Sequence, residues 1–139
     1  MTATSTIGVI GLGSMGLGMA RSLLRAGLPV WGYDIRDEVR RAFAAEGGLP
    51  VASLGDQAAG SDVLFIVVVN AQQTEALLFG EQGIAARLRP GTVVVACATI
   101  AADAARRIAK RLAEHQVAML DAPISGGAVR AAAGELTIM

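Results

Sequence analysis

Three glycines, Gly11, Gly13 and Gly16, stand at G-x-G-x-x-G spacing directly after the apolar run Ile7 to Ile10, and an acid, Asp34, follows Gly16 by eighteen positions. Residues of these types at this spacing are suited to receiving a pyrophosphate. A glycine at 11 permits a tight turn out of a strand, one at 13 leaves room where a phosphate approaches the backbone, and one at 16 lets the next helix pack closely on a sheet. The first N–H groups of that helix lack intrahelical acceptors and carry the positive end of its dipole, so they suit an anion. The acid lies near the roughly 20-residue spacing of a carboxylate that accepts hydrogen bonds from an adenosine ribose. A glycine-rich turn with a surface aspartate is the plainer reading of the same residues. The order strand, turn, helix, second strand and acid favours the dinucleotide.

The elements that must position these residues can be read along the chain. Met15, Met19 and Leu23 recur every four residues, with Ala20 and Leu24 widening the stripe, and predict a helix ending near Ala26-Gly27. Val30 to Tyr33 reads as a strand, Asp37 to Glu46 as a charged helix, Leu49 to Ala52 as a weak strand and Leu54 to Ala59 as a short helix. Asp62 to Val69 is the strongest strand signal and belongs at the sheet centre. A helix from Gln72 to Phe79, a helical turn at Ile84 to Leu88 and a strand at Thr92 to Ala96 follow. Ala101 to His115 is an amphipathic helix with Ala104, Ile108 and Leu112 inward and Arg106, Arg107, Lys110 and Arg111 on a solvated face. Val117 to Leu120 is a sixth strand, Asp121 to Gly127 a loop, 128 to 133 helical, and Leu136 to Met139 the start of another strand. Strands alternating with helices predict a doubly wound, mostly parallel α/β sheet of the Rossmann dinucleotide-binding type, with 1–139 as one domain.

In such a sheet ligands lie beyond the carboxyl ends of the strands. That directs attention to Val69-Asn70, Thr99 and Ser125-Gly126-Gly127. Asn70 and Thr99 can hydrogen-bond a ribose or carboxamide, and Ser125 with the two glycines can hold a carboxylate or oxyanion. Turn chemistry is the alternative for each. His115, at a predicted helix end, reads as capping or solvated, and Cys97 as a small apolar filler. No cluster has metal-ligand spacing.

Lys+Arg and Asp+Glu are both 12 in 139 residues, which gives no electrostatic footprint for nucleic acid or an anionic membrane. The hydrophobic fraction of 53% and mean hydropathy of +0.52 are high, but no apolar run approaches the roughly 18 residues of a membrane span, and a sheet buried on both faces accounts for the excess. A single cysteine and a poor signal-peptide pattern at the N-terminus fit a reducing, cytoplasmic setting.

Two stretches, G-V-I-G-L-G-S-M-G-L-G-M-A at 8 to 20 and L-D-A-P-I-S-G-G-A-V-R-A-A-A-G-E-L-T-I-M at 120 to 139, resemble the β-hydroxyacid dehydrogenases, the 3-hydroxyisobutyrate dehydrogenase family. V-V-V-N-A-Q-Q-T-E-A-L-L-F-G at 67 to 80 is most similar to the L-threonate dehydrogenase branch. The resemblance covers the whole chain but only the first half of a family member. It implies NAD as cofactor, with Gly11, Leu12, Gly13, Ser14, Met15 and Gly16 at the pyrophosphate, Asp34 at the ribose, Val69 and Asn70 adjoining, and Thr99 facing the nicotinamide. It also implies that Ser125, Gly126 and Gly127 bind a small hydroxyacid substrate. Cys97-Ala98 departs from the family pattern. The family's catalytic lysine lies beyond Met139, so no catalytic residue is expected in this chain; Lys110, its only lysine, is no substitute. The expected function is the cofactor-binding half of an NAD-dependent hydroxyacid oxidoreductase, oxidising a sugar acid such as L-threonate, with a 3-hydroxyisobutyrate or tartronate semialdehyde type as alternative. The 139-residue chain alone should be inactive, and a homo-oligomer is expected. A non-catalytic NAD-binding or redox-sensing module is the rival from another class. Asp34 would disfavour a 2′-phosphate and so select NAD over NADP, with Arg36 the one complication.

Overall fold

Strand β1 (Ile7–Ile10) is buried at all four positions, and the computed structural model, which describes residues 5–139, builds outward from it. Helix α1 (Ser14–Arg25) carries the chain to β2 (Val30–Tyr33), which pairs parallel with β1, Ile7 opposite Val30 and Ile10 opposite Tyr33. After α2 (Asp37–Ala45) and α3 (Leu54–Ala59) the chain crosses back to place β3 (Val63–Ile66) on the other side of β1. Helix α4 (Ala71–Phe79), a 3₁₀ turn at Ala85–Arg87, β4 (Val93–Ala96), α5 (Ala102–Ala113) and β5 (Ala118–Asp121) complete a five-stranded parallel sheet of order β2-β1-β3-β4-β5. The register is even, so Tyr33, Ile10, Ile66, Ala96 and Asp121 end at one level.

Alternate residues of each strand feed two cores. Ile10, Leu64, Ile66 and Val94 join Trp31, Ile108 and Leu112 on the face covered by α4 and α5. Ile7, Val9, Val30 and Phe43 pack with Ala20 under α1 and α2. Burying each such side chain is worth roughly 1.5–3 kcal/mol, which is why the sequence carries so much apolar residue for its length. Trp31 is fully buried, and its indole N–H donates to Ser61 Oγ at 2.8 Å, so the ring costs no unsatisfied donor.

Three expectations need correction. Leu49 to Ala52 is no strand: Leu49 makes one parallel bridge to Trp31, and Pro50, which has no N–H, cannot carry the ladder on. The 62 to 69 run is strand only to Ile66. Val67 still donates to Ile10 O at 2.8 Å, and beyond it the chain bends toward α4. Finally, Asp121 to Gly127 is not all loop: β6 (Ile124–Ser125) pairs antiparallel with β7 (Thr137–Ile138) in a separate two-stranded sheet, with α6 (Gly127–Ala133) between them. The last strand therefore does not extend the main sheet.

Helix α6 lies on α1. Ser22 Oγ lies 2.8 Å from Ala131 O and 3.0 Å from Ala132 O, placed to donate its hydroxyl to either, Arg25 donates to Ala132 O at 2.7 Å, and a Cβ added at Gly18 would stand 2.7 Å from that of Ala131. This close approach fixes the hairpin that carries Ser125. Gly18→Val should therefore destabilise the chain by roughly 1–3 kcal/mol and raise amide exchange selectively in α6, β6 and β7; unchanged exchange there would show that the hairpin is held by something else.

Candidate functional site

The strand order grows from β1 to β2, then reverses past β1 to β3, so the crevice at the carboxyl ends of β1 and β3 is the switch point of the sheet. The glycine turn fills it. Gly11 has φ of +99° and donates to Tyr33 O at 2.8 Å; a Cβ there would lie 2.1 Å from Val67 O. A Cβ at Gly16 would lie 1.8 Å from Gly11 O. Both glycines are thus required by the protein's own packing. Gly13 is different. It caps α1 with extended backbone and no side-chain acceptor, and a Cβ on it would meet nothing within 4 Å. The fold does not need a glycine at 13, and the space in front of the bare N-terminus of α1 is open to an anion. Ser14 and Met15 form its first turn, while the Leu12 side chain is buried among the residues under α1 and α2.

Asp34, just past β2, is buried, and its carboxylate is fully engaged. Oδ2 accepts from Leu12 N–H at 2.9 Å and from Arg36 Nη2 at 3.2 Å; Oδ1 accepts from Arg36 N–H at 3.0 Å and Arg36 Nε at 2.9 Å. The Arg36 side chain first, then the two backbone N–H groups, hold the carboxyl down at about 2 against the desolvation that opposes ionisation. Arg40 donates to Asp34 O at 2.6 Å and stacks over Tyr33. The sequence marks Arg36 as the one complication for cofactor choice, but its bonds to the Asp34 carboxylate emerge only from the structure. Ile35 was also missed: it is 86% exposed beside Asp34, and Val69 is 78% exposed at the end of the β3 segment. Two bare apolar side chains flanking the glycine turn offer surface to a flat heterocycle.

Asn70 caps α4. Its Oδ1 accepts from Gln73 N–H at 2.8 Å, while Gln73 Oε1 accepts from Val69 N–H at 2.9 Å, a reciprocal cap that leaves the Asn70 amide NH₂ as the group available to a ligand. Thr99 is exposed two residues past the buried Cys97 and three past the end of β4. Ser125 sits in β6, exposed, and Gly126 (φ +138°) and Gly127 (φ +76°) turn the chain into α6. The Cys97 thiol is packed with Met19, Val95, Ala122 and Ala131, and burial pushes it up to about 11, so it remains a thiol filling space. Lys110 is exposed on α5. The expected solvated face of α5 is only partly that: Arg107 pairs with Glu75 and Arg111 stacks 3.9 Å over Phe79, tying α5 to α4. Among the described residues no three His, Cys, Asp or Glu side chains are grouped to hold a metal, and no helix is long and apolar enough to cross a membrane.

A parallel sheet with its switch point at a glycine turn, and a carboxylate ending the neighbouring strand, define the dinucleotide-binding class of α/β fold. The chain belongs to the family described as the NAD binding domain of 6-phosphogluconate dehydrogenase, which matches residues 6–139. It is 55% identical over 133 residues to the L-threonate dehydrogenase of Cupriavidus necator, covering 96% of this chain and 45% of that protein. To the L-threonate dehydrogenase of Pectobacterium atrosepticum it is 47% identical over 142 residues, covering 99% of this chain and 46% of that one. The crystal structure of a 3-hydroxyisobutyrate dehydrogenase from Salmonella typhimurium superposes with a TM-score of 0.92 at 46% identity, over 97% of this chain and 47% of that one. The chain spans about half the length of the relatives it matches.

The ionised Asp34 contributes to folding as well as to the site. Its native value lies below the ordinary 3.8, so the stabilisation is present above about pH 4 and is lost as pH falls through about 2. With Arg36 half-exposed and screened, we expect Asp34→Asn to cost roughly 1–2 kcal/mol at pH 7. In urea unfolding the gap to the unmodified chain should close between pH 4 and pH 2; a gap independent of pH would contradict the assignment.

Proposed function

We propose that this chain is the cofactor-binding half of an NAD-dependent hydroxyacid dehydrogenase acting on a sugar acid such as L-threonate. The observation that carries the cofactor site is Gly13: the fold leaves it free to change, yet it fronts the bare N-terminus of α1, where a pyrophosphate approaching the Gly11 to Gly16 turn would need the room. Leu12, Ser14 and Met15 contribute the backbone of that turn. Asp34 would accept the adenosine ribose hydroxyls, Ile35 and Val69 would flank the adenine, and the free amide of Asn70 and the Thr99 hydroxyl would meet the nicotinamide-ribose side. Bound NAD supplies the hydride acceptor; the chain's own residues bind it, orient it and keep one face of it toward Ser125, Gly126 and Gly127. Those three would hold the substrate carboxylate and hydroxyl. The likeness to two L-threonate dehydrogenases supports the sugar acid. The proton transfer that accompanies hydride transfer needs an acid or base that these residues do not provide, so the 139-residue chain binds without turning over. A cytoplasmic setting agrees with this chemistry.

Gly13→Val is expected to lower the unfolding temperature by no more than about 5 °C, the cost of losing glycine at the N-cap of α1, because its side chain meets open space, and to weaken NAD⁺ binding at least tenfold in calorimetric titration. Equal NAD⁺ affinity in the two proteins would refute the site, and NADH formation from L-threonate by the 139-residue chain alone would refute the division of labour.

Self-association is part of the same proposal. The edge strand β5 exposes Leu120 at 56%, and Val129, Ile138 and Met139 are 83%, 61% and 66% exposed nearby in sequence. An unpaired edge with apolar side chains favours pairing with a second copy. Sedimentation across a concentration series should show a dimer, and a monomer at all concentrations would contradict this.

A further inference from the structure

The four hydrogen bonds to Asp34 fill its acceptor capacity, since a carboxylate offers about four lone-pair positions. Two of the four come from backbone N–H groups, of Leu12 and Arg36, that the turn and the strand end hold in place. The other two come from the Arg36 guanidinium, whose side chain is 52% exposed and pairs with nothing else among the described residues. A ribose presenting two hydroxyls requires two acceptor positions, and the only two that can be vacated are those held by Arg36. We propose that Arg36 is a cofactor-discriminating residue: a displaceable plug in the ribose position of Asp34 that NAD must push aside and that a 2′-phosphate can instead recruit.

This rests on the reading that Asp34 faces the adenosine ribose. The charges around it permit both outcomes. Residues 34–41 contain Asp34, Asp37 and Glu38 against Arg36, Arg40 and Arg41, three of each sign. Arg40 and Arg41 are engaged with Asp37, and Arg40 also with Asp34 O. Asp34 alone would repel a 2′-phosphate. With Arg36 bidentate on it the pair is neutral, and the guanidinium, which has five N–H donors, keeps donors free for a second anion. NAD, by contrast, gains its two ribose hydrogen bonds only at the expense of two charge-assisted ones. Arg36 therefore narrows the preference that Asp34 would impose by itself.

The test is calorimetric titration of the chain and its Arg36→Ala, Arg36→Lys and Asp34→Ala variants with NAD⁺ and with NADP⁺. Arg36→Ala should raise the Kd for NADP⁺ at least tenfold while lowering or preserving that for NAD⁺, and Arg36→Lys, which keeps the charge without the fork, should fall between. Asp34→Ala should shift the ratio the opposite way, by weakening NAD⁺. If Arg36→Ala leaves the ratio of the two constants within twofold while Asp34→Ala narrows it, the plug is wrong and the ribose assignment stands. If Asp34→Ala also leaves the ratio unchanged, the ribose assignment falls with it.

Discussion

A buried, ionised carboxylate must have its oxygens filled, and the way Asp34 meets that demand ties this molecule together. By accepting from Leu12 N–H it fastens the glycine turn to the end of β2, alongside the bond from Gly11 N–H to Tyr33 O. The turn cannot then relax toward the sheet or away from it. Its glycines are required where it touches Val67 O and its own carbonyl, and free only where it faces outward. The site is thus rigid on its protein side and open on its ligand side, which is the arrangement a preorganised anion site needs.

From that anchor the other candidate positions follow by register. Because all five strands end level, the residues after Ile10, Tyr33, Ile66 and Ala96 share one rim of the sheet. The asymmetry of the crossover puts the switch point beside β1, and the Asn70–Gln73 cap starts α4 just past the end of β3. The β6–α6–β7 segment that bears Ser125 is held against α1 by the bonds from Ser22 and Arg25 to Ala131 O and Ala132 O. A single parallel sheet can therefore present an ordered, anion-accepting rim before any further residue is added to it.

Local signals made much of this legible in the sequence. β1, β2 and α3 fall where short apolar runs and turn residues placed them, and the glycine turn was readable because strand, glycines, helix and acid occur in a fixed order. What escaped was non-local. The pairing of Ile124–Ser125 with Thr137–Ile138 joins residues whose partners no periodicity announces. Leu49 to Ala52 has strand composition, but an edge position followed by Pro50 leaves it a single bridge. Arg107 and Arg111 look like a solvated stripe until α4 brings Glu75 and Phe79 beneath them. The Asp34–Arg36 clamp is a matter of rotamer, and spacing carries no information about that.

The proposed dinucleotide site runs across the carboxyl ends of β1, β2 and β3. Backbone amide chemical-shift mapping of the chain titrated with NAD⁺ tests it most directly. Saturable shifts should concentrate at Gly11 to Gly16, Asp34 to Arg36, Val69-Asn70 and Thr99, with little change on the outer face of α5. Shifts centred on the groove of about 300 Å³ between α5 and β5, lined by Ala105, Ala109 and Met119, with the glycine turn unmoved, would contradict it.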